Sequence, residues 1–305
     1  MDLMVFSNLF AIIAPVFVAA GIGYSWARYG DDYDSSFVSL LTARIAAPAL
    51  IFVTLTSLPV PLTELGMTSL ATIAAIGLFA VIGYVILKTT GQDVRTFLPV
   101  LMFPNIGNMG LPLVLYGFGE TGLAYAVGTF VPVAILQYTL GVAIASGTFK
   151  VTALARMPMI WAVVLALPFA FTQTALPVWL DNSATMLSQM LVPLMLVTLG
   201  VSIARLRINN VGKGFVMALG RLGLGLGVSY GLAALLGLEG AQRGAFIIQM
   251  STPTAVMTYV FAEQYKRAPE LVAAAVLIGT FISFLTMPLL LLIAGVGPDA
   301  SMTAP

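Results

Sequence analysis

The sequence predicts an all-α integral membrane protein of ten transmembrane helices, arranged as two inverted five-helix repeats with helices four and nine broken and crossing. Three observations carry this. Of 305 residues, 60% are apolar and 8% charged, against roughly 45–50% and 25% in soluble domains. Lys and Arg collect in alternate connectors. Motifs of the first half recur in the second, about 150 residues on.

A bilayer core about 30 Å thick is crossed by about 20 apolar helical residues. The stretches of that order run from Val5 to Ala27, Phe37 to Ser57, Gly66 to Leu87, Thr96 to Gly117, Gly122 to Ser146, Met157 to Thr172, Ser183 to Ala204, Gly214 to Leu236, Arg243 to Tyr265 and Leu271 to Ala294. The first run has no positive segment before it and exceeds a signal-peptide core in length, so it is expected to stay as a span. Connectors are short. The membrane part is therefore expected to be the whole protein.

Arg28, Lys88, Arg95, Lys150, Arg156, Arg205, Arg207, Lys213, Lys266 and Arg267 all fall in odd-numbered connectors, and the even connectors carry only Arg243. Basic residues mark cytoplasmic loops. Both termini are thus expected outside, in a bacterial cytoplasmic (inner) membrane. Arg44 and Arg221 lie about 10 Å inside their spans by helical rise. Each is read as snorkelling to the interface, the alternative being a functional charge facing the interior.

The halves echo each other in order: Val127-Gly128-Thr129-Phe130-Val131 with Ile278-Gly279-Thr280-Phe281-Ile282, Pro104 with Pro253, and Val53-Thr54-Leu55 with Val197-Thr198-Leu199. Two five-span repeats follow, over residues 1–146 and 159–305, with a cytoplasmic connector at 147–158. Five is odd, so the second repeat enters from the opposite side, an arrangement of secondary transporters.

Span four packs Pro104, Asn105, Gly107, Asn108, Gly110 and Pro112 around its middle. Proline removes a donor and glycine permits unwound backbone, so this helix is expected to break near Asn105. Span nine carries Ser251-Thr252-Pro253-Thr254, whose hydroxyls can satisfy the carbonyls that Pro253 frees. Irregular backbone at this depth persists only when buried in protein or lining a cavity, so the two breaks are expected to meet. Each creates a helix N-terminus with unpaired amides, and two such ends make an anion site. The candidate substrate residues are Pro104, Asn105, Gly107, Asn108, Thr252, Pro253 and Thr254. Gln137, with Tyr138, lies near the middle of span five, either lining the cavity or bonding between helices.

Here the sequence resembles the auxin efflux carrier family, whose bacterial members include malonate-transporter-like and other carboxylate carriers. Pro104-Asn105 with Met109-Gly110-Leu111-Pro112 is similar to the family's fourth-span crossover. Val260-Phe261-Ala262-Glu263-Gln264-Tyr265, then Pro269-Glu270-Leu271 and Ala274-Ala275-Val276, are similar to its ninth and tenth spans. The resemblance covers essentially the whole chain. It implies a fold of the bile-acid and sodium/proton antiporter type, with a scaffold of spans 1, 2, 6 and 7 and a moving core of spans 3, 4, 5, 8, 9 and 10. It also implies elevator-like motion, a homodimer through the scaffold, and contact of Asn105 with the substrate carboxylate beside Pro104 and Pro253. Two departures stand out. The connector from Gly147 to Arg156 is short, and span three contains no Asp or Glu through which transport could be coupled.

With no Cys and no His, the chain lacks thiolate nucleophiles, the usual proton shuttle and the commonest metal ligands. It is expected not to be an enzyme and to bind no cofactor, metal or nucleic acid. None of the twelve acidic residues lies near a span midpoint. The functional expectation is a secondary transporter, exporter or uniporter, of a small organic anion. A non-transporting sensor of the same fold and a proton-coupled carboxylate importer are the alternatives. Gly223, Gly227 and Gly231 recur every four residues and are read as a surface for close helix packing. The fifteen Met residues are read as adaptable packing.

Overall fold

The computed structural model describes residues 3–57, 60–149, 157–206 and 210–296, with side chains from residue 10 onward. Lys150, Arg156 and Arg207 lie outside the described residues. Along the chain run α1 (Leu3–Tyr29), α2 (Ser35–Thr56), α3 (Leu62–Thr89), α4 (Val94–Met102), α5 (Ile106–Ser146), α6 (Pro158–Thr172), α7 (Val178–Arg205), α8 (Val211–Leu235), α9 (Gly240–Ser251), α10 (Val256–Gln264) and α11 (Pro269–Ala294). Among the described residues the only β-type pairing is an isolated antiparallel bridge between Pro104 and Thr254.

Seven of these helices, α1, α2, α3, α5, α7, α8 and α11, are long and apolar enough to cross a membrane. By contrast α4 and α10 have 9 residues each and α9 has 12, lengths of roughly 13–18 Å at the helical rise. None of the three could span hydrocarbon alone. The residues expected as span nine are occupied by α9 and α10, and those expected as span four by α4 and the first arm of α5. That arm ends where Gly119 takes φ 62, ψ −157, a conformation open in practice only to glycine.

Local chemistry sets the helix ends. Asp34 Oδ1 accepts from the amides of Ser36 and Phe37 at 2.9 and 3.0 Å, Asp93 Oδ2 from that of Thr96 at 3.1 Å, and Asn210 Oδ1 from that of Lys213 at 3.2 Å. Each satisfies amides that a helix start leaves free. Pro158 and Pro269 open α6 and α11 where a missing donor costs nothing.

Two groups of helices pack mainly among themselves. In the first, α1 lies along α7, and α2 packs on α6 and the start of α7. The α1–α7 contact is backbone to backbone: a Cβ on Gly23 would stand 1.9 Å from the Val197 carbonyl oxygen, and one on Gly200 1.8 Å from that of Ala20. The second group holds α3, α4, the long arm of α5, α8, α9, α10 and α11. Arg205 Nη1 donates to Ser35 Oγ, Arg267 Nε donates to the Ala145 carbonyl, and Lys213 Nζ lies over the Phe97 ring. Basic connectors thus share one end of the molecule.

Two expectations about α8 are corrected. A Cβ on Gly223, Gly227 or Gly231 would meet nothing within 4 Å, and all three are exposed. The stripe makes no close packing contact within the chain. Instead α8 packs through Gly214, Ala218, Arg221, Gly225 and Ser229, and a Cβ on Gly225 would lie 2.6 Å from the Met250 carbonyl oxygen. Arg221 sits in that packed stripe, fully buried, so it does not snorkel. Arg44 is exposed on α2.

Candidate functional site

Pro104 has no amide hydrogen, and its ring would collide with the preceding turn of a continuous helix. So α4 stops at Met102, Phe103 turns extended at φ −102, ψ 111, and α5 begins after Asn105. Pro253 has the same effect: Thr252 and Ala255 are extended at ψ 155 and 134, between α9 and α10. The two extended pieces cross and pair. Asn105 N donates to the Pro253 carbonyl at 2.8 Å, and Ala255 N donates to the Phe103 carbonyl at 2.9 Å.

A break also strands the carbonyls of the turn before it. Thr254 Oγ1 donates to the Val100 carbonyl at 3.1 Å and Thr252 Oγ1 to that of Gln249 at 2.8 Å. Arg221 donates to the carbonyls of Leu101 and Met250. Unpaired groups would cost several kcal/mol each in a membrane interior. These bonds make the interruption tolerable.

On the far side of the breaks the donors stay free. The amides of Gly107, Asn108, Val256 and Met257 donate to no group among the described residues. The side-chain Nδ2 of Asn105 and Nε2 of Gln137 are buried without a partner. All six residues line one cavity of about 200 Å³. Its opposite wall comes from the first helix group: Ser35, Ser39 and Thr42 of α2, Met159 of α6, and Met195, Thr198 and Ser202 of α7. Among the described residues no charged side chain lines it. A cavity with amide donors at its back, hydroxyls along its front and Met, Phe130 and Val256 between them offers hydrogen bonds to negative charge and contact to an apolar body.

The structure thus brings Pro104, Asn105, Gly107, Asn108 and Gln137 together around the cavity. It does not bring Thr252, Pro253 and Thr254 there. Both threonines are buried and spend their hydroxyls on helix carbonyls, while Pro253 holds Asn105 and packs on Gly279. The residues that line the cavity from this break are Ala255, Val256, Met257 and Val260. Sequence reasoning also missed the hydroxyls of Ser35, Ser39, Thr198 and Ser202. Their four-residue spacing on two apolar helices was a signal that could have found them.

Long apolar helices around two interrupted ones, with free amide donors facing a cavity at the crossing, fit a membrane transport protein. The family model described as "Membrane transport protein" matches residues 9–150 and 143–291, and the chain belongs to this family, that of the auxin efflux carriers. Among its relatives, an uncharacterized transporter of Methanocaldococcus jannaschii is 24% identical over 297 residues, covering 91% of this chain and 96% of the relative. An uncharacterized transporter of Methanothermobacter thermautotrophicus is 22% identical over 301 residues, covering 94% and 98%.

Proposed function

We propose that this chain is a secondary transporter of a small organic anion, a carboxylate, which binds in the cavity at the crossing of the two interrupted helices. One observation carries the reading: the free amides of Gly107, Asn108, Val256 and Met257 and the unpartnered amide groups of Asn105 and Gln137 surround a single cavity. A carboxylate loses several kcal/mol on leaving water. Each helix end returns up to about 2 kcal/mol, and a charge-assisted bond from Asn105 adds about 1.5–3 kcal/mol. Near cancellation gives weak, reversible binding, which suits turnover.

In this reading the chain makes ten crossings in two inverted repeats. The group α1, α2, α6 and α7 is the scaffold, and the remaining helices form a core that carries the anion past it. The cavity lies between these groups, which favours elevator-like alternating access. Basic connectors face the cytoplasm, and the cavity is bounded by Ser35 and Ser202 close to Arg205. The described conformation is then inward-open, in a bacterial inner membrane with both termini outside. The scaffold also supplies the surface for a homodimer.

The test is counterflow. Purified protein in liposomes loaded with unlabelled two- to six-carbon carboxylates is expected to take up the matching labelled anion transiently, and Asn105→Ala is expected to lose that uptake while remaining folded. Binding without exchange would make the protein a sensor; an Asn105→Ala variant that transports normally would remove the cavity from the reading.

A further inference from the structure

The proposed anion site makes no use of Arg221, the largest fully buried side chain among the described residues. Its Nη1 donates to the Leu101 carbonyl at 3.0 Å and its Nη2 to the Met250 carbonyl at 2.5 Å. The guanidinium carbon lies 4.5 Å from the centroid of the Phe79 ring. Leu101 and Met250 are the penultimate residues of α4 and α9. Both acceptors are therefore carbonyls that the breaks strand, at the negative ends of two helix dipoles. Gly225, one turn further along α8, leaves the room: a Cβ there would stand 3.3 Å from Nη2.

No carboxylate accompanies this guanidinium in any ion pair among the described residues, and Arg221 does not line the cavity. An isolated buried ion is costly. Two carbonyl oxygens, two converging negative helix ends and an aromatic face offset the cost, and these groups would equally hold a free monovalent cation.

We infer that Arg221 is a tethered counter-cation of the crossover, filling a cation site made by the carbonyls of Leu101 and Met250 and the Phe79 ring. It pins the two half-helices at fixed separation, so the free amides on the other face of the crossing stay aimed at the cavity. It also keeps that site occupied without drawing a cation from solution. The site itself does not rest on the transport reading. Its consequence for turnover does.

The experiment follows thermal unfolding of purified protein in detergent, in choline chloride against equal concentrations of guanidinium or sodium chloride, all in the low millimolar range. Wild type is expected to be indifferent to the cation. Arg221→Ala is expected to unfold at lower temperature in choline and to recover by a few degrees in guanidinium, through binding to the vacated cage. A variant as stable as wild type in choline, or one that no cation restores, would overturn the inference. Should Arg221→Ala not fold, Arg221→Lys and Arg221→Gln decide it. Lys above Gln in stability supports a site for charge, and Gln equal to or above Lys overturns it. Because no substrate enters this measurement, failure of counterflow and failure of the cation site are read separately. If transport is observed, wild-type exchange should be equal in choline and sodium, and exchange by Arg221→Ala should require guanidinium.

Discussion

The backbone amide of Asn105 donates to the carbonyl of Pro253 at 2.8 Å, joining residues that lie about 150 positions apart in the chain. A proline in each helix frees backbone groups, and each break uses what the other frees. With its own amide engaged, Asn105 is held by its main chain, and its side-chain amide is left unpartnered in the cavity. Position is set by one part of the residue and chemistry by the other.

That division predicts how Asn105 responds to substitution. Asn105→Ala removes a donor with no intramolecular partner, so thermal stability should change little. Carboxylate affinity should fall by about 1.5–3 kcal/mol, roughly 10- to 150-fold. Asn105→Asp should abolish carboxylate binding by placing like charges together. Isothermal titration beside a thermal scan checks both, and a parallel loss of stability and affinity would count against a ligand role.

Thr254 is expected to behave in the opposite way. Thr254→Val removes the donor to the Val100 carbonyl while keeping the shape, leaving a buried acceptor unpaired at a cost of about 1–3 kcal/mol. The unfolding temperature should drop. Affinity of the molecules that remain folded should be nearly unchanged, a pattern measurable by titration below the transition.

The breaks were legible in the sequence because Pro104 and Pro253 sit among Asn, Gly, Ser and Thr residues that permit or satisfy an unwound backbone, whereas Pro99 and Pro132 lie inside helices that continue. The direction of a side chain around its helix was not legible. Arg221 could be placed in depth from its position in the span, but whether it faced lipid or core depended on which side of α8 its neighbours cover. The i+4 pair of Arg221 and Gly225, a large cation beside the glycine that makes room for it, marked the interior face. The Gly223, Gly227 and Gly231 stripe pointed elsewhere. The cavity wall on α2 and α7 was missed because the i, i+4 spacing of its hydroxyls shows that two residues share a face but not what that face meets.

Glycines at the two kinds of position should separate sharply. Gly200→Ala would drive a methyl group into the Ala20 carbonyl, prising α1 from α7 at a cost of several kcal/mol, in the range of overpacked or strained sites. Gly227→Ala meets open space and should be neutral or stabilise α8 by up to about 1 kcal/mol through helix propensity. Thermal midpoints of the two variants in one detergent test this directly.

Asp93 caps α4 outside the apolar spans, and its carboxyl is held below its ordinary value first by the Thr96 hydroxyl and then by the neighbouring amides. A depressed native value means that the stabilisation is present above the unfolded carboxyl's pKa, about 4, and is lost as pH falls through the native value. Asp93→Asn, which keeps a capping oxygen, should match wild type at neutral pH within a few tenths of a kcal/mol, and Asp93→Ala should lose about 1 kcal/mol. Below about pH 4 the wild type's advantage over Asp93→Ala should shrink, as scans across acid pH would reveal.

No acidic side chain lines the cavity among the described residues, and the acidic residue of α3, Glu64, sits in its first turn and accepts from the Tyr125 hydroxyl, so in the proposed reading the anion moves without a proton. An anion moving alone carries its charge across the membrane, worth about 2.3 kcal/mol per 100 mV. That corresponds to a roughly 40- to 50-fold concentration ratio at equilibrium. Liposomes with an inside-negative potassium diffusion potential should therefore drive labelled carboxylate outward, and a pH gradient imposed at zero potential should leave the flux unchanged once substrate ionisation is held constant. Flux that ignored the potential and followed the pH gradient would identify a proton-coupled importer and require a proton site that this cavity does not contain.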